Sequence, residues 1–96
     1  MYQIESEALD RLFAVISQLN DPAQCRSFFE DVCTVKEMLD MAQRLEVAVL
    51  LRKGVNYQKI SQQVGASTAT ISRVSKCLNY GSGGYVTALK KLEEAE

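Results

Sequence analysis

Residues 57–78 read YQKISQQVGASTATISRVSKCL and contain the clearest structural pattern in the chain. Ile60 and Val64 give a first short helix a narrow apolar edge, and Gly65 follows where the chain must turn tightly with positive φ. A second helix then carries apolar residues on one side at helical spacing, namely Ile71, Val74 and Leu78. Two short helices with a shared apolar seam and a glycine-containing turn are typical of a helix-turn-helix, which we place at residues 56–78.

The opposite side of the second helix, predicted to span residues 68–78, is small and polar and carries no acidic residue. This outer face and its N-terminal flank are formed by Thr68, Ala69, Thr70, Ser72, Arg73 and Lys76. A helix led by small residues can enter a DNA major groove, about 12 Å wide, with its N-terminal residues against base edges. Hydroxyl and methyl groups can contact bases there, while Arg73, Lys76 and Lys59 of the preceding helix can contact phosphates. The sequence therefore predicts that this face binds double-stranded DNA.

The distribution of charge supports this prediction, although the net charge of the chain is only −1. Residues 1–46 carry nine acidic and four basic residues, whereas residues 47–92 carry seven basic residues and no acidic one. A basic stretch within an acidic protein indicates a local surface that faces a polyanion. Helix–glycine–helix spacing alone would fit an ordinary pair of helices in a bundle equally well, so the charge pattern and the small polar face are what favour DNA binding.

The rest of the chain also has helical periodicity, and no strand pattern or internal repeat interrupts it. The predicted helices cover residues 5–19, 22–31, 34–53, 57–64, 68–78 and a last segment of about ten residues beginning near Tyr85. Asp21 followed by Pro22 is a helix start, and Thr34 with Glu37 forms a capping box. We therefore expect an all-α fold of about six helices in a single domain covering residues 1–96.

The third predicted helix is apolar around most of its circumference. Its apolar positions are Val35, Met38, Leu39, Met41, Ala42, Leu45, Val47, Ala48, Val49 and Leu51. A helix with so little polar surface must be surrounded by other elements, and a chain of 96 residues offers few of them. A second copy of the chain is the simplest source of the missing surface, so we expect a homodimer; tight packing within one chain is the alternative.

The run from Thr68 to Leu78, TATISRVSKCL, resembles the recognition helix of the tryptophan repressor family, whose core reads ATITRGSNSL. The order of acidic N-terminal helices and an apolar third helix ending in Arg52-Lys53-Gly54 is similar as well, so the resemblance covers nearly the whole chain. Within the family, the chain looks like the repressor-like proteins of the YerC/YecD type. The resemblance implies an intertwined, all-helical homodimer that regulates transcription, and the docking geometry used above is the one known for that family.

The resemblance also implies an effector pocket behind the recognition helix. In the family, tryptophan lies between two arginines, which correspond here to Arg44 and Arg73. The family has a glycine where this chain has Val74, and a serine where it has Cys77. A β-branched side chain adds bulk where the indole ring would lie, and overpacking of this kind costs about 1–3 kcal/mol. We therefore expect that tryptophan is not the effector.

Three interpretations of this altered pocket stay open at the level of sequence. In the first, Val74 fills the pocket and holds the recognition helix competent without a ligand. In the second, a different small molecule binds, with its carboxylate held by Arg44 and Arg73. In the third, Arg44 is a solvated residue paired with Asp40, and Arg73 contacts only phosphate.

Other classes of function find little support in the sequence. The chain has no histidine, and Cys25, Cys33 and Cys77 form no C-x-x-C motif, so the ligands for a metal site are too few. No cysteine or serine has a recognisable base partner, which argues against an enzyme. No apolar run approaches the roughly 20 residues that cross a membrane, and the acidic N-terminus is unlike a signal peptide. We expect buried, reduced cysteines, no cofactor and no metal.

The sequence thus predicts a sequence-specific transcription regulator, most simply a repressor, in the bacterial cytoplasm and on the nucleoid when bound. It would bind a DNA operator as a homodimer, with helix 68–78 in the major groove. The alternative is a helical protein-interaction module whose helix-turn-helix is vestigial.

Overall fold

A computed structural model describes residues 6–96 of the chain. All regular structure in that range is helical, in six helices: α1 (Glu7–Ile16), α2 (Pro22–Val32), α3 (Val35–Arg52), α4 (Tyr57–Val64), α5 (Thr68–Tyr80) and α6 (Gly84–Ala95). The predicted all-α class with about six helices is confirmed. Glu5, the predicted first residue of the first helix, lies outside the described residues. The chain forms two compact units divided between Met38 and Leu39, and the assignment of 1–96 to a single domain stays a prediction.

The two helices of the first unit begin at side-chain caps. The Leu9 N–H donates to Ser6 Oγ at 2.9 Å, and the Gln24 N–H donates to Asp21 Oδ1 at 2.8 Å with a proline next to the cap, as predicted for α2. Helix α1 ends at Ile16, earlier than predicted, because the Gln18 and Leu19 N–H groups bond three residues back instead of four, which tightens the last turn. At the end of α2, Val32 is 58% exposed.

Helix α3 has a defined start and a defined end. The Thr34 N–H donates to Glu37 Oε1 at 2.8 Å, and the Glu37 N–H donates to Thr34 Oγ1 at 3.1 Å, which confirms the capping box. These bonds from Thr34 hold the pKa of the Glu37 carboxyl below its ordinary value. At the other end Gly54 has φ +83°, and the Val55 N–H bonds to the Leu50 carbonyl at 3.0 Å. This is the Schellman arrangement, in which glycine ends a helix by turning left-handed.

The second unit packs around one apolar core that the helix-turn-helix shares with α3 and α6. Its buried members are Val47, Ala48, Ile60, Ala66, Ile71, Val74 and Leu89. Two come from α3, one each from α4, the turn and α6, and two from α5. The seam of the helix-turn-helix is therefore closed by α3 and α6, and the two helices do not depend on each other alone.

Many apolar side chains remain exposed outside that core. On α3 the exposed ones are Val35, Leu39, Met41 and Leu45, of which Leu39 is 64% exposed. On α1 Phe13 is 60% exposed. The three cysteines are half-buried, so the expectation that they are buried is wrong. Among the helices of residues 6–96, none is both long and apolar enough to cross a bilayer.

Candidate nucleic-acid interface

The helix-turn-helix is held by three local features, of which the turn at Gly65 was predicted. Asn56 caps α4, with its Oδ1 accepting the Lys59 N–H at 2.9 Å. Gly65 has φ +72°, and its N–H bonds to the Ser61 carbonyl at 2.9 Å, which ends α4 in the left-handed conformation that glycine adopts without strain. Ser67 then caps α5, accepting the Thr70 N–H at 3.1 Å. These bonds produce the predicted tight connection between two short helices.

Burial separates the two sides of α5 as the sequence predicts. Ile71 and Val74 are 0% and 1% exposed, and Leu78 is half-buried against the same core. The turn contributes a residue that the sequence reasoning missed, since Ala66 is 2% exposed. A small apolar residue between Gly65 and the Ser67 cap would have been a usable signal, because no other turn residue can enter the core.

The residues predicted to contact DNA lie mostly on the outside of the second unit. Exposed side chains belong to Lys59, Thr68, Ala69, Ser72, Arg73 and Lys76. Thr70 differs, because it is half-buried and its Oγ1 accepts a hydrogen bond from Ser67 Oγ at 3.0 Å. Its hydroxyl is therefore tied to the helix cap. The assignment of these residues to DNA stays a prediction, and the structure adds that six of them are accessible in the single chain.

Helix α5 is longer than predicted, and its last residue extends the outer face. The helix runs to Tyr80, which is 83% exposed. At 100° per residue, Tyr80 lies on the same stripe as Ala69, Arg73 and Lys76. Gly81 follows immediately, and a Cβ there would lie 2.3 Å from the Cys77 carbonyl oxygen. A glycine is therefore required at the point where the chain leaves the helix.

The four residues of the predicted effector pocket lie at different depths. Arg44 and Arg73 are exposed, Cys77 is half-buried and Val74 is buried. A small, shallow groove of about 60 Å³ lies elsewhere, between α3 and α6, and none of the four lines it. Its rim carries an ion pair between Arg52 Nε and Glu93 Oε1 at 2.8 Å. No group of three or more metal-ligating side chains occurs within residues 6–96.

One polar contact between α3 and the helix-turn-helix was not predicted. The Gln43 side-chain Nε2 donates to the Val64 carbonyl oxygen at 3.1 Å. Gln43 is half-buried, whereas the neighbouring Arg44, which the sequence favoured, is exposed. No sequence motif marks a glutamine whose partner is a backbone carbonyl far along the chain, so this contact could be found only from the structure.

Comparison with known proteins agrees with the fold and with this arrangement of helices. The family model for the Trp repressor protein matches residues 7–93. An "Uncharacterized protein YerC" from Bacillus subtilis (strain 168) is 50% identical over 94 residues, which are 98% of this chain and 90% of that protein.

Two solved structures have the same fold as this chain. The crystal structure of a TrpR-like protein from Eubacterium eligens matches with a TM-score of 0.88 at 46% identity, covering 93% of this chain and 92% of that one. The crystal structure of a second protein, from Staphylococcus aureus, matches with a TM-score of 0.88 at 43% identity, covering 93% of this chain and 89% of that one. The chain therefore belongs to the Trp repressor family of DNA-binding regulators, as a protein of the YerC type.

Proposed function

We propose that the protein is a sequence-specific transcription regulator, most simply a repressor, that binds an operator as a homodimer with α5 in the major groove. The observation that carries this proposal is the contrast between the two sides of α5. Ile71 and Val74 anchor its inner side in the core, while its outer side presents small polar and basic side chains. A rigid, exposed helix face without acidic groups is what a major groove accepts.

Each exposed residue has a distinct role in this proposal. Ala69 and Ser72, near the N-terminal end of α5, are small enough to approach base edges. Arg73 and Lys76 on α5 and Lys59 on α4 are placed to pair with phosphates on either side of the groove. Residues 47–92 contain no acidic side chain that would repel the DNA backbone. Base contacts would give specificity and the cations would give most of the affinity.

The homodimer is supported by the apolar surface that a single chain leaves uncovered. Val35 and Leu39 on α3 and Phe13 on α1 are each at least 60% exposed. Burying apolar surface contributes about 25 cal/mol per Å². A dimer in which the second copy covers these side chains would therefore be stabilised by their burial. Two copies related by a two-fold axis would present two α5 helices to half-sites about one helical turn apart.

We further propose that operator binding requires neither tryptophan nor a metal ion or other cofactor. Val74 is 1% exposed, which supports the interpretation that it fills the space behind α5. A ring entering that space would have to displace packed side chains, and interiors resist such overpacking. A regulator of this kind acts in the bacterial cytoplasm, at the nucleoid.

A salt titration tests the proposal. Binding to a labelled 30-base-pair duplex is measured by fluorescence anisotropy, and log K should fall with log[salt] by about 0.9 for each phosphate neutralised. Lys76→Ala removes one phosphate contact from each subunit of the dimer and should reduce that slope by about two. Arg26→Ala removes the same charge from α2, where Arg26 pairs with Glu30 at 3.2 Å, and should leave the slope unchanged. A protein-interaction module would instead show no salt-dependent binding to DNA, which would refute the proposal.

A further inference from the structure

Gln43 on α3 reaches across to the end of α4. Its Nε2 donates to the Val64 carbonyl oxygen at 3.1 Å, and the two residues are 21 positions apart in the chain. Val64 is the last residue of α4, and Gly65 turns the chain directly after it. The contact therefore joins the long core helix to the point where the helix-turn-helix changes direction.

The Val64 oxygen belongs to a class of backbone groups that need an outside partner. The last four carbonyls of an α-helix have no N–H within the helix to pair with. In α4 the Ser61 oxygen is satisfied by the Gly65 N–H at 2.9 Å, whereas the Val64 oxygen accepts the Gln43 amide. A half-buried amide donor is thus matched to a helix-end acceptor, and replacing the amide would leave that acceptor without this bond.

The other attachment of the helix-turn-helix to α3 is apolar. Ile60 on α4 and Ile71 and Val74 on α5 share a buried cluster with Val47 and Ala48 of α3. Apolar contacts are non-directional, so they hold the two helices against α3 but tolerate a small rotation. A hydrogen bond depends steeply on distance and angle. The hydrogen bond from Gln43 to Val64 is therefore the contact that resists rotation of α4 on α3.

We propose that Gln43 is a positioning residue, whose amide fixes the orientation of α4 and the turn on α3 and so sets the register of α5 against base edges. The inference rests on the proposed function and adds that the chain itself supplies a link that holds the recognition helix in place. Contacts to phosphates by flexible basic side chains tolerate a small rotation of α5. Contacts to base edges do not, so loss of the link should lower specificity more than general affinity for DNA.

The test compares two duplexes of 30 base pairs, one selected from a random pool by the wild-type protein and one of mixed sequence. Gln43→Met keeps the length and packing of the side chain but has no N–H donor. It should bind the selected duplex at least fivefold more weakly, because each subunit loses one net hydrogen bond, and the mixed duplex within twofold of wild type. The slope of log K against log[salt] should be unchanged, because no phosphate contact is lost.

Two further variants separate the donor from the shape of the side chain. Gln43→Lys restores an N–H donor with a longer reach, and its added charge acts on both duplexes alike. The ratio of the two affinities should therefore return toward the wild-type value. Gln18→Ala replaces an exposed glutamine in the first unit and should leave the ratio and both affinities unchanged.

Amide exchange gives a readout that needs no DNA. The Gly65 N–H, held by the Ser61 carbonyl, should exchange several-fold faster in Gln43→Met than in the wild type, and Gln18→Ala should not change it. Wild-type protein that fails to bind DNA would refute the proposed function, while the exchange rates would still test the link. The inference is overturned if Gln43→Met keeps the affinity ratio within twofold of wild type. It is also overturned if both affinities fall equally together with the melting temperature.

Discussion

Val74 lies at the centre of the seam beneath the recognition helix, with 1% of its surface exposed. It packs in one cluster with Ile71, Ile60 and the two buried residues of α3. In the family this position is a glycine that admits a ring, whereas here the side chain itself occupies the interior. The same residue therefore contributes to the stability of the second unit and holds α5 against the core.

Val74→Gly should weaken DNA binding in the absence of any ligand. The change removes a buried side chain worth about 1.5–3 kcal/mol, and the lower helix propensity of glycine relative to valine adds about 0.5 kcal/mol. We expect a lower melting temperature and at least tenfold weaker binding, measured by anisotropy with no amino acid added. Ala88→Gly, at an exposed position within α6, carries at least the same cost in helix propensity and should bind DNA normally. Unchanged or tighter binding by Val74→Gly would show that Val74 does not replace a ligand.

The burial of single residues could be predicted from the sequence where helical spacing alone places a side chain inside or outside the core. Val74 follows Ile71 by three residues and precedes Leu78 by four, so its burial could be predicted from the helical period. The Gln43 contact could not be predicted, because its acceptor is a backbone oxygen 21 residues away. The hydrogen bond between the Ser67 and Thr70 hydroxyls was also missed, because a capping pattern predicts a bond to a backbone N–H and not one between two side-chain hydroxyls.

At the scale of the element, helix starts were predicted better than helix ends. Asp21, Thr34 and Ser67 cap their helices through bonds to residues three positions later, and such local pairs can be identified in a sequence. The position at which a helix ends depends on the path of the chain after it, and a local sequence pattern does not determine that path. Helix α5 continues to Tyr80 because the Gly81 N–H still reaches the Cys77 carbonyl at 2.9 Å.

Gly65→Ala should destabilise the helix-turn-helix through its backbone conformation alone. Gly65 has φ +72°, and a Cβ there would meet nothing within 4 Å, so the cost is that of a left-handed alanine, about 1–2 kcal/mol. For a domain of this size that cost lowers the melting temperature by about 4–8 °C per kcal/mol, which calorimetry can measure.

Gly84→Ala is the matched control for this change. Gly84 also has nothing within 4 Å of its added Cβ, but its φ is not in the left-handed range and it begins α6. Its replacement should be neutral or slightly stabilising, because alanine restricts the unfolded chain. Equal effects of the two substitutions would contradict the conformational explanation.

At the scale of the whole molecule, the exposed apolar side chains of α1 and α3 determine the expected assembly. Leu39→Lys places a charge on that surface, where the chain alone leaves the residue 64% exposed, so the monomer itself should still fold. By sedimentation equilibrium the wild type should have twice the 10.7 kDa of the chain, and the variant should have the mass of a single chain. Tyr80→Lys, at an even more exposed site on α5, should remain a dimer. A monomeric wild type would refute the proposed assembly.

The all-α class could be predicted from helical periodicity, and the family from the TATISRVSKCL run together with the order of helices. The expectation of a dimer came from the apolar circumference of α3, and the exposed Val35 and Leu39 support it. The geometry of such a dimer cannot be predicted from local patterns, because it depends on how two surfaces fit.

The most direct test of the central claim is selection of bound sites from a random DNA pool by the wild-type protein, with no amino acid added. The proposed function predicts an enriched, two-fold symmetric sequence whose half-sites lie one helical turn apart, about 10 base pairs from centre to centre. Failure to enrich any sequence, or enrichment only when tryptophan is supplied, would contradict it.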